Sequence, residues 1–223
     1  MTSNEAARLI DISAVRTHHS LSDISAVVEV AQKYRFINVH SLPCWTKSVS
    51  KMLKDDPDIF VGAPVGFPSG GHKTSVKVLE AKELISDGVQ EMDILMNIGK
   101  FKNKEYDYVK QDIMAVLAVA PANVLTKVII EINCLTDEEM LHACELVIAC
   151  GPDFIKTGTG WVSGDANVAR IAKIKQATHG RIKVKAAGGI RTREEFDQLL
   201  ALGVERFGIN TESALSIVES FNR

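Results

Sequence analysis

Cysteine pairs, runs of one charge sign and long apolar stretches are all missing from this sequence. Each absence excludes a class of protein. Cys44, Cys134, Cys144 and Cys150 form no C-x-x-C pair, and a chain of 223 residues can bury a core without staples, so free thiols in a reducing compartment are expected. No stretch approaches ~18 uninterrupted apolar residues, the length of a membrane span. The opening segment, MTSNEAARLID, has no basic stretch followed by an apolar one, so it does not read as a signal peptide. A cytoplasmic protein is the expectation. Net charge is only −2, with no block of like charges; neither a nucleic-acid footprint nor a polybasic membrane anchor is expected. No Pro/Gly/Ser-rich linker divides the chain. At 46% apolar and 24% charged residues, the composition is that of a folded globular protein. Surface scaling gives ~10,000 Å² of exposed area for a chain of this mass.

What the sequence does have is alternation. Short runs rich in Val, Ile and Phe, near 8–12, 36–39, 59–63, 90–96, 124–132, 153–157, 182–187 and 204–209, read as strands. Helical spacing fills the intervals, near 21–34, 45–54, 73–87, 105–119, 136–149, 164–178, 192–202 and 212–221. Thr136 with Glu139 and Thr192 with Glu195 are capping-box pairs. The strands are nearly continuous apolar runs, as expected when both faces are buried. Eight βα units in turn predict an α/β fold, a single (β/α)8 TIM barrel over residues 1–223. A weak repeat supports it: Gly88, Gly151 and Gly203 each close a helix before a strand, the place for a left-handed backbone. That offset sets Asp93, Lys156 and Gly208 at similar heights. A doubly wound open sheet is the alternative, but DISAVRTHHS lacks the Gly-rich turn it wants.

Barrel sites lie at the C-terminal ends of the strands. Lys156 in DFIKTGTGW and Lys185 in IKVKAAGG follow apolar residues inside adjacent strands, where lysine is uncommon. Two ammoniums ~5–6 Å apart repel by ~3 kcal/mol at an effective dielectric of ~20, or ~2 pKa units, and desolvation adds with the same sign. One amine would then be free near neutral pH, able to form an imine with a carbonyl. The bland reading is a lysine paired with a carboxylate at the barrel mouth. Asp93 in EMDILMNIG either moves protons or only orients a lysine. Glu131 either pairs with Lys127 or acts in catalysis. AAGGIRT and GINTES follow strands seven and eight, where barrels often hold phosphate, so Gly188 and Gly189 are candidates for backbone contact with an anion. His18, His19, His40 and His72 fall in strand-end loops, without the H-x-H of a metal hydrolase barrel; Trp45 and Trp161 read first as packing.

These stretches carry a resemblance. VGFPSGGHKTSVKVLEAKELISDGVQEMDILMNIG, YDYVKQDI, TKVIIE, LTDEE, DFIKTGTGW and VKAAGGIRT together resemble the deoxyribose-phosphate aldolase family through nearly the whole chain. The resemblance implies a class I lyase that needs no metal or cofactor and a homodimer. It implies a small phosphorylated sugar as partner, with 2-deoxyribose 5-phosphate cleaved reversibly to acetaldehyde and glyceraldehyde 3-phosphate. Lys156 matches the Schiff-base lysine, Lys185 the lysine that lowers its pKa, and Asp93 the acid of the proton relay. Gly188, Gly189, Asn210, Thr211, Lys127 and Asp11 are the expected substrate and phosphate contacts. Several positions depart from the family pattern. Ser13 stands for threonine and Arg16 for lysine; Asn38 replaces the cysteine of a CVNP-like segment, and His40 enters. Gly158 replaces the serine of KTSTG, and Glu212 brings a negative charge to the strand-eight loop, with Arg191 near enough to offset it. A related imine-forming aldolase for another carbonyl pair is the close alternative. A barrel isomerase or epimerase, and a sugar-phosphate sensor, are the others; two interior lysines and Asp93 fit them poorly.

Overall fold

The computed structural model describes residues 1–164 and 167–222. Eight parallel strands close a barrel in chain order: β1 (Ile10–Ala14), β2 (Asn38–Ser41), β3 (Phe60–Val65), β4 (Glu91–Leu95), β5 (Leu125–Ile129), β6 (Phe154–Lys156), β7 (Lys183–Ala187) and β8 (Arg206–Asn210). The helices are α1 (Ser3–Ala7), α2 (Leu21–Tyr34), α3 (Thr46–Met52), α4 (Thr74–Ser86), α5 (Ile98–Lys102), α6 (Tyr106–Leu117), α7 (Asp137–Cys150), α8 (Val168–Thr178), α9 (Arg193–Ala201) and α10 (Thr211–Glu219). The (β/α)8 barrel expected from the sequence is thus present, and the accessible surface of 9979 Å² matches the scaling value.

Local chemistry explains the helix starts. Thr136 caps α7 and Thr192 caps α9, each with its glutamate closing the reciprocal bond; Ser20 and Asp23 do the same for α2. Gly88, Gly151 and Gly203 adopt positive φ after α4, α7 and α9, which only glycine tolerates cheaply. Two short helices, α1 and α5, carry too few residues for a periodic signal. β1 and β2 begin two residues later than expected, because Arg8–Leu9 and Phe36–Ile37 belong to the turns that feed them. His40 therefore lies within β2 rather than in a loop. The helix expected over 164–178 is seen from Val168, and residues 165–166 lie outside the described residues.

Side chains alternate along each strand. Ile12, Val39, Val61, Ile94, Val128, Ile155, Val184 and Phe207 face the helices and form the buried apolar core. The opposite positions point into the barrel, and many are charged or polar: Asp11, Asn38, His40, Glu91, Asp93, Lys127, Lys156, Lys185 and Arg206 are all buried. A barrel interior is more often packed with branched aliphatic residues. Here the main hydrophobic cluster lies outside the barrel wall, and the interior is an ion network flanked by Leu95, Ile129 and Phe154.

Candidate active site

Strand pairing sets the network. Lys156 on β6 is opposite Lys185 on β7, and Asp93 on β4 is opposite Lys127 on β5. One carboxylate oxygen, Asp93 Oδ2, accepts from Lys156 Nζ at 2.7 Å and from Lys185 Nζ at 2.8 Å. Those two legs cap the Nζ–Nζ separation at about 5.5 Å, the distance at which ammonium repulsion is worth ~3 kcal/mol. Lys185 Nζ also lies 2.5 Å from Asp11 Oδ2. Beneath them Lys127 pairs with Glu91 at 2.6 Å and with Asp93 Oδ1 at 3.2 Å. Arg206 binds Asp11 at 2.6 Å and Glu91 at 3.1 Å, and Asn38 donates to Glu91 at 3.0 Å.

Four cations, Lys127, Lys156, Lys185 and Arg206, thus meet three carboxylates, Asp11, Glu91 and Asp93. Within this network the cations exceed the carboxylates by one, and burying an unmatched charge is costly; Glu131, a buried carboxyl that also feels Lys156, lies outside it. Lys156 is the one that yields. Burial is the largest influence on it; Asp93 opposes, and Lys185 and Lys127 push the same way as burial, leaving its ammonium pKa lowered to about 8. Desolvation thus leads and the neighbouring lysine follows, the reverse of the weighting the sequence suggested. Asp93 is fully buried, which favours its neutral form, yet the ammoniums of Lys127, Lys156 and Lys185 hold it well below the usual carboxylate range. Lys127 and Arg206 are raised by their carboxylates against the effect of burial.

Lys156 is 7% exposed and opens onto a cavity of 840 Å³ at the C-terminal ends of the strands. Asp11, Gly188, Gly189, Asn210 and Thr211, all expected contacts, line that cavity together with Lys185. Lys127 does not: it is fully buried below Asp93 and faces Glu91, so it is placed to balance charge rather than to meet substrate. Asp93 sits just under the floor, reachable through Lys156. Asn210 caps α10, so the helix N-terminus opens on the cavity beside Gly188 and Gly189, both at positive φ. That is a recurrent anion-binding arrangement. Arg16, Arg191 and Glu212 stand at the same rim. The Arg16 guanidinium lies 5.6 Å above the Trp161 ring and donates to Gly160 O at 3.3 Å; Trp161 in turn meets Phe67 edge-on at 5.5 Å.

Glu131 forms no pair with Lys127. It follows β5 with φ at +49°, and its carboxylate accepts from the Thr159 amide at 3.1 Å and from the Thr159 hydroxyl. A Cβ at position 158 would lie 2.8 Å from Glu131 Oε1, so Gly158 leaves room for that carboxylate. Burial raises the Glu131 pKa against the pull of its Thr159 bonds. Glu91 and Arg206 escape the sequence reading, which takes Asn38 only as a departure from the family pattern. Their signal was period two: Glu91 precedes Asp93, Asn38 precedes His40 and Arg206 precedes Gly208, each on the same strand face. Among the described residues no three His, Cys, Asp or Glu side chains group as metal ligands, and no helix is long and apolar enough to cross a membrane. The last described residues, Ser220–Asn222, do not line the cavity; Phe221 packs on Arg193 and Phe196 of α9.

A buried amine with a lowered pKa, held on a carboxylate and open to a cavity, is equipped to attack a carbonyl. The DeoC/LacD family aldolase model matches residues 11–208. The chain belongs to the DeoC/LacD aldolase family. Relatives in this family include the deoxyribose-phosphate aldolase of Klebsiella pneumoniae, 42% identical over 94% of this chain and 84% of that one. That of Enterococcus faecalis is 38% identical over 95% and 96%. Among solved structures, the aldolase QR15 superposes with a TM-score of 0.92 at 36% identity, covering 98% of this chain and 96% of its own.

Proposed function

We propose that the protein is a Schiff-base aldolase that cleaves 2-deoxyribose 5-phosphate reversibly to acetaldehyde and glyceraldehyde 3-phosphate. The observation that carries the reading is Lys156: a buried amine held on Asp93 Oδ2 at 2.7 Å, with a pKa near 8, at the floor of the cavity. At pH 7.5 roughly a quarter of it is free amine. Family membership and relatives named as deoxyribose-phosphate aldolases support the substrate.

The steps follow from the charges. Lys156 Nζ adds to C1 of the open-chain sugar, and loss of water leaves an iminium. Its positive charge occupies the place of the ammonium, against Asp93 Oδ2. The C2–C3 bond then breaks, and its electron pair neutralises the iminium as an enamine. The C3 hydroxyl proton must leave in the same event. Asp93 is an ionised carboxylate and a weak base while three cations surround it. As the iminium becomes a neutral enamine, one of those cations disappears and the proton affinity of Asp93 rises, so the proton passes to it, directly or through water. Returning that proton to C2 and hydrolysing the imine releases acetaldehyde and restores Lys156. Lys185 stays paired with Asp93 and Asp11, beside the Lys156 amine whose pKa it helps to lower. Asp11 fixes Lys185 and Arg206. Gly188, Gly189, Asn210 and Thr211, with the α10 N-terminus, receive the phosphate.

One observation favours a second acceptor: Glu212 occupies the first turn of α10, on the rim where the phosphate docks. A carboxylate there opposes a dianion. Specificity constants for 2-deoxyribose 5-phosphate, unphosphorylated 2-deoxyribose and other aldose phosphates decide between the two. The reading requires 2-deoxyribose 5-phosphate to lead; a larger constant for another sugar would transfer the same lysine chemistry to that substrate. The reading includes a homodimer in the cytoplasm. Free Cys44, Cys134, Cys144 and Cys150 suit a reducing compartment, and sedimentation at twice the 24.4 kDa chain mass tests the dimer.

A further inference from the structure

His40 is a departure from the family pattern that the mechanism above leaves unused. It is 3% exposed, points inward from β2 and lines the same cavity as Lys156. Neither ring nitrogen has a hydrogen-bond partner, although buried polar groups nearly always have one. The ring is seated in a built notch: a Cβ at position 62 would come within 2.4 Å of Nδ1, so Gly62 is what admits it. On the other side Nε2 lies 3.6 Å from Asp93 Oδ2, beyond hydrogen-bond reach of an oxygen already shared by two lysines.

The geometry fits a substrate atom. Legs of 3.6 Å and 2.7 Å meet at Asp93 Oδ2, so His40 Nε2 and Lys156 Nζ are no more than about 6.3 Å apart. In an imine on Lys156, the oxygen on C3 stands ~3–5 Å from the nitrogen, and a hydrogen bond adds ~3 Å. The gap therefore accommodates that oxygen between the two residues. Burial, aided by the ammoniums of Lys185, Lys156 and Lys127 and opposed by Asp93, keeps His40 neutral, with its pKa near 3. It thus carries one N–H and adds no cation to an interior that already has one too many. The proton belongs on Nε2, the nitrogen that faces a carboxylate, while Nδ1 faces the Gly62 notch.

We infer that His40 donates a hydrogen bond from Nε2 to the C3 oxygen of the substrate, the atom that changes from hydroxyl to carbonyl as the C2–C3 bond breaks. The inference rests on the aldolase reading. It makes His40 a catalytic residue for the carbon–carbon step and not for imine formation, because negative charge on that oxygen grows only as the bond breaks or forms. Donors aimed at such a developing oxyanion typically contribute ~10²–10³-fold in rate. The proton itself still travels to Asp93.

Acetaldehyde separates the two steps, since it has no C3 oxygen. Borohydride trapping of acetaldehyde on Lys156, and exchange of its C2 hydrogens in D2O, test the lysine machinery alone; cleavage of 2-deoxyribose 5-phosphate tests the whole. In His40→Ala, trapping and exchange are expected within two-fold of wild type, while kcat for cleavage falls about 30–300-fold with KM changed less than about three-fold. His40→Gln sets an amide nitrogen near the Nε2 place and is expected to recover at least ten-fold of that loss. His40→Asn reaches only the Nδ1 place and is expected not to. Equal losses in exchange and cleavage would overturn the inference, as would His40→Ala cleaving within two-fold of wild type, or Asn rescuing as well as Gln. A wild-type protein that traps no acetaldehyde would instead overturn the aldolase reading beneath it.

Discussion

Replacing Lys185 by Leu removes one positive charge at most about 5.5 Å from the Lys156 amine. At an effective dielectric of ~20 the lost repulsion is ~3 kcal/mol, or ~2 pKa units. Asp93 would then answer more fully to Lys156, which acts in the same direction. The Lys156 pKa, held near 8 by burial first and by its cationic neighbours after it, should rise to ~10. At pH 7.5 the free-amine fraction drops from roughly a quarter to roughly 0.3%, a loss of about 75-fold. The assay is the initial rate of cyanoborohydride trapping of acetaldehyde on Lys156 between pH 6 and 10.5. Wild type should rise with a midpoint near 8. The variant should be about 75-fold slower at pH 7.5 and converge on wild type above pH 10. A variant midpoint that stays near 8 would refute the reasoning, because burial alone would then set the amine.

Lys156→Leu should abolish trapping and turnover yet melt no lower than wild type, since it removes the network's excess of one cation and leaves Asp93 with Lys127 and Lys185; a fall of several degrees in Tm would contradict the charge count. Lys77→Met breaks the fully buried Lys77–Asp112 pair at 2.6 Å and should cost about 3–5 kcal/mol in urea unfolding, most of it recovered by the double replacement with Asp112→Leu. Glu212→Gln should lower KM for 2-deoxyribose 5-phosphate about two- to five-fold and leave KM for unphosphorylated 2-deoxyribose unchanged, as a screened carboxylate near a dianion requires. Glu131→Ala removes the acceptor of two Thr159 bonds and should destabilise the fold by about 2–4 kcal/mol, read from chemical denaturation.

The barrel was legible because its outer wall obeys a simple rule. Ile94, Ile155, Val184 and Phe207 sit on strands buried on both sides, and their apolar runs alternate with helices that carry their own caps. Lys156, Lys185 and Asp93 were legible because ionisable groups inside such runs need a reason to be there. Their partners were not. Lys127 shares its strand setting with Lys156, yet strand register places it one layer deeper, against Glu91 instead of at the cavity floor. That difference lies in the stagger between β5 and β6, which no spacing within one strand encodes. His40 read as a loop residue because the edge of β2 lay two residues off, a shift that decides whether a side chain sits in solvent or in the barrel. In sequence Gly158 is only a replacement for serine and Gly62 carries no signal; the atoms facing them, Glu131 Oε1 and His40 Nδ1, say why nothing larger fits.

The central claim is that Lys156 is the amine that becomes an imine. The most direct measurement incubates the protein with acetaldehyde, reduces it with borohydride, and maps the added two-carbon unit by peptide mass spectrometry. The account predicts a stoichiometric ethyl adduct on Lys156, absent from Lys156→Leu, and an adduct on the same lysine when 2-deoxyribose 5-phosphate replaces acetaldehyde. An adduct centred on Lys185 or Lys127, or none on folded protein, would contradict it.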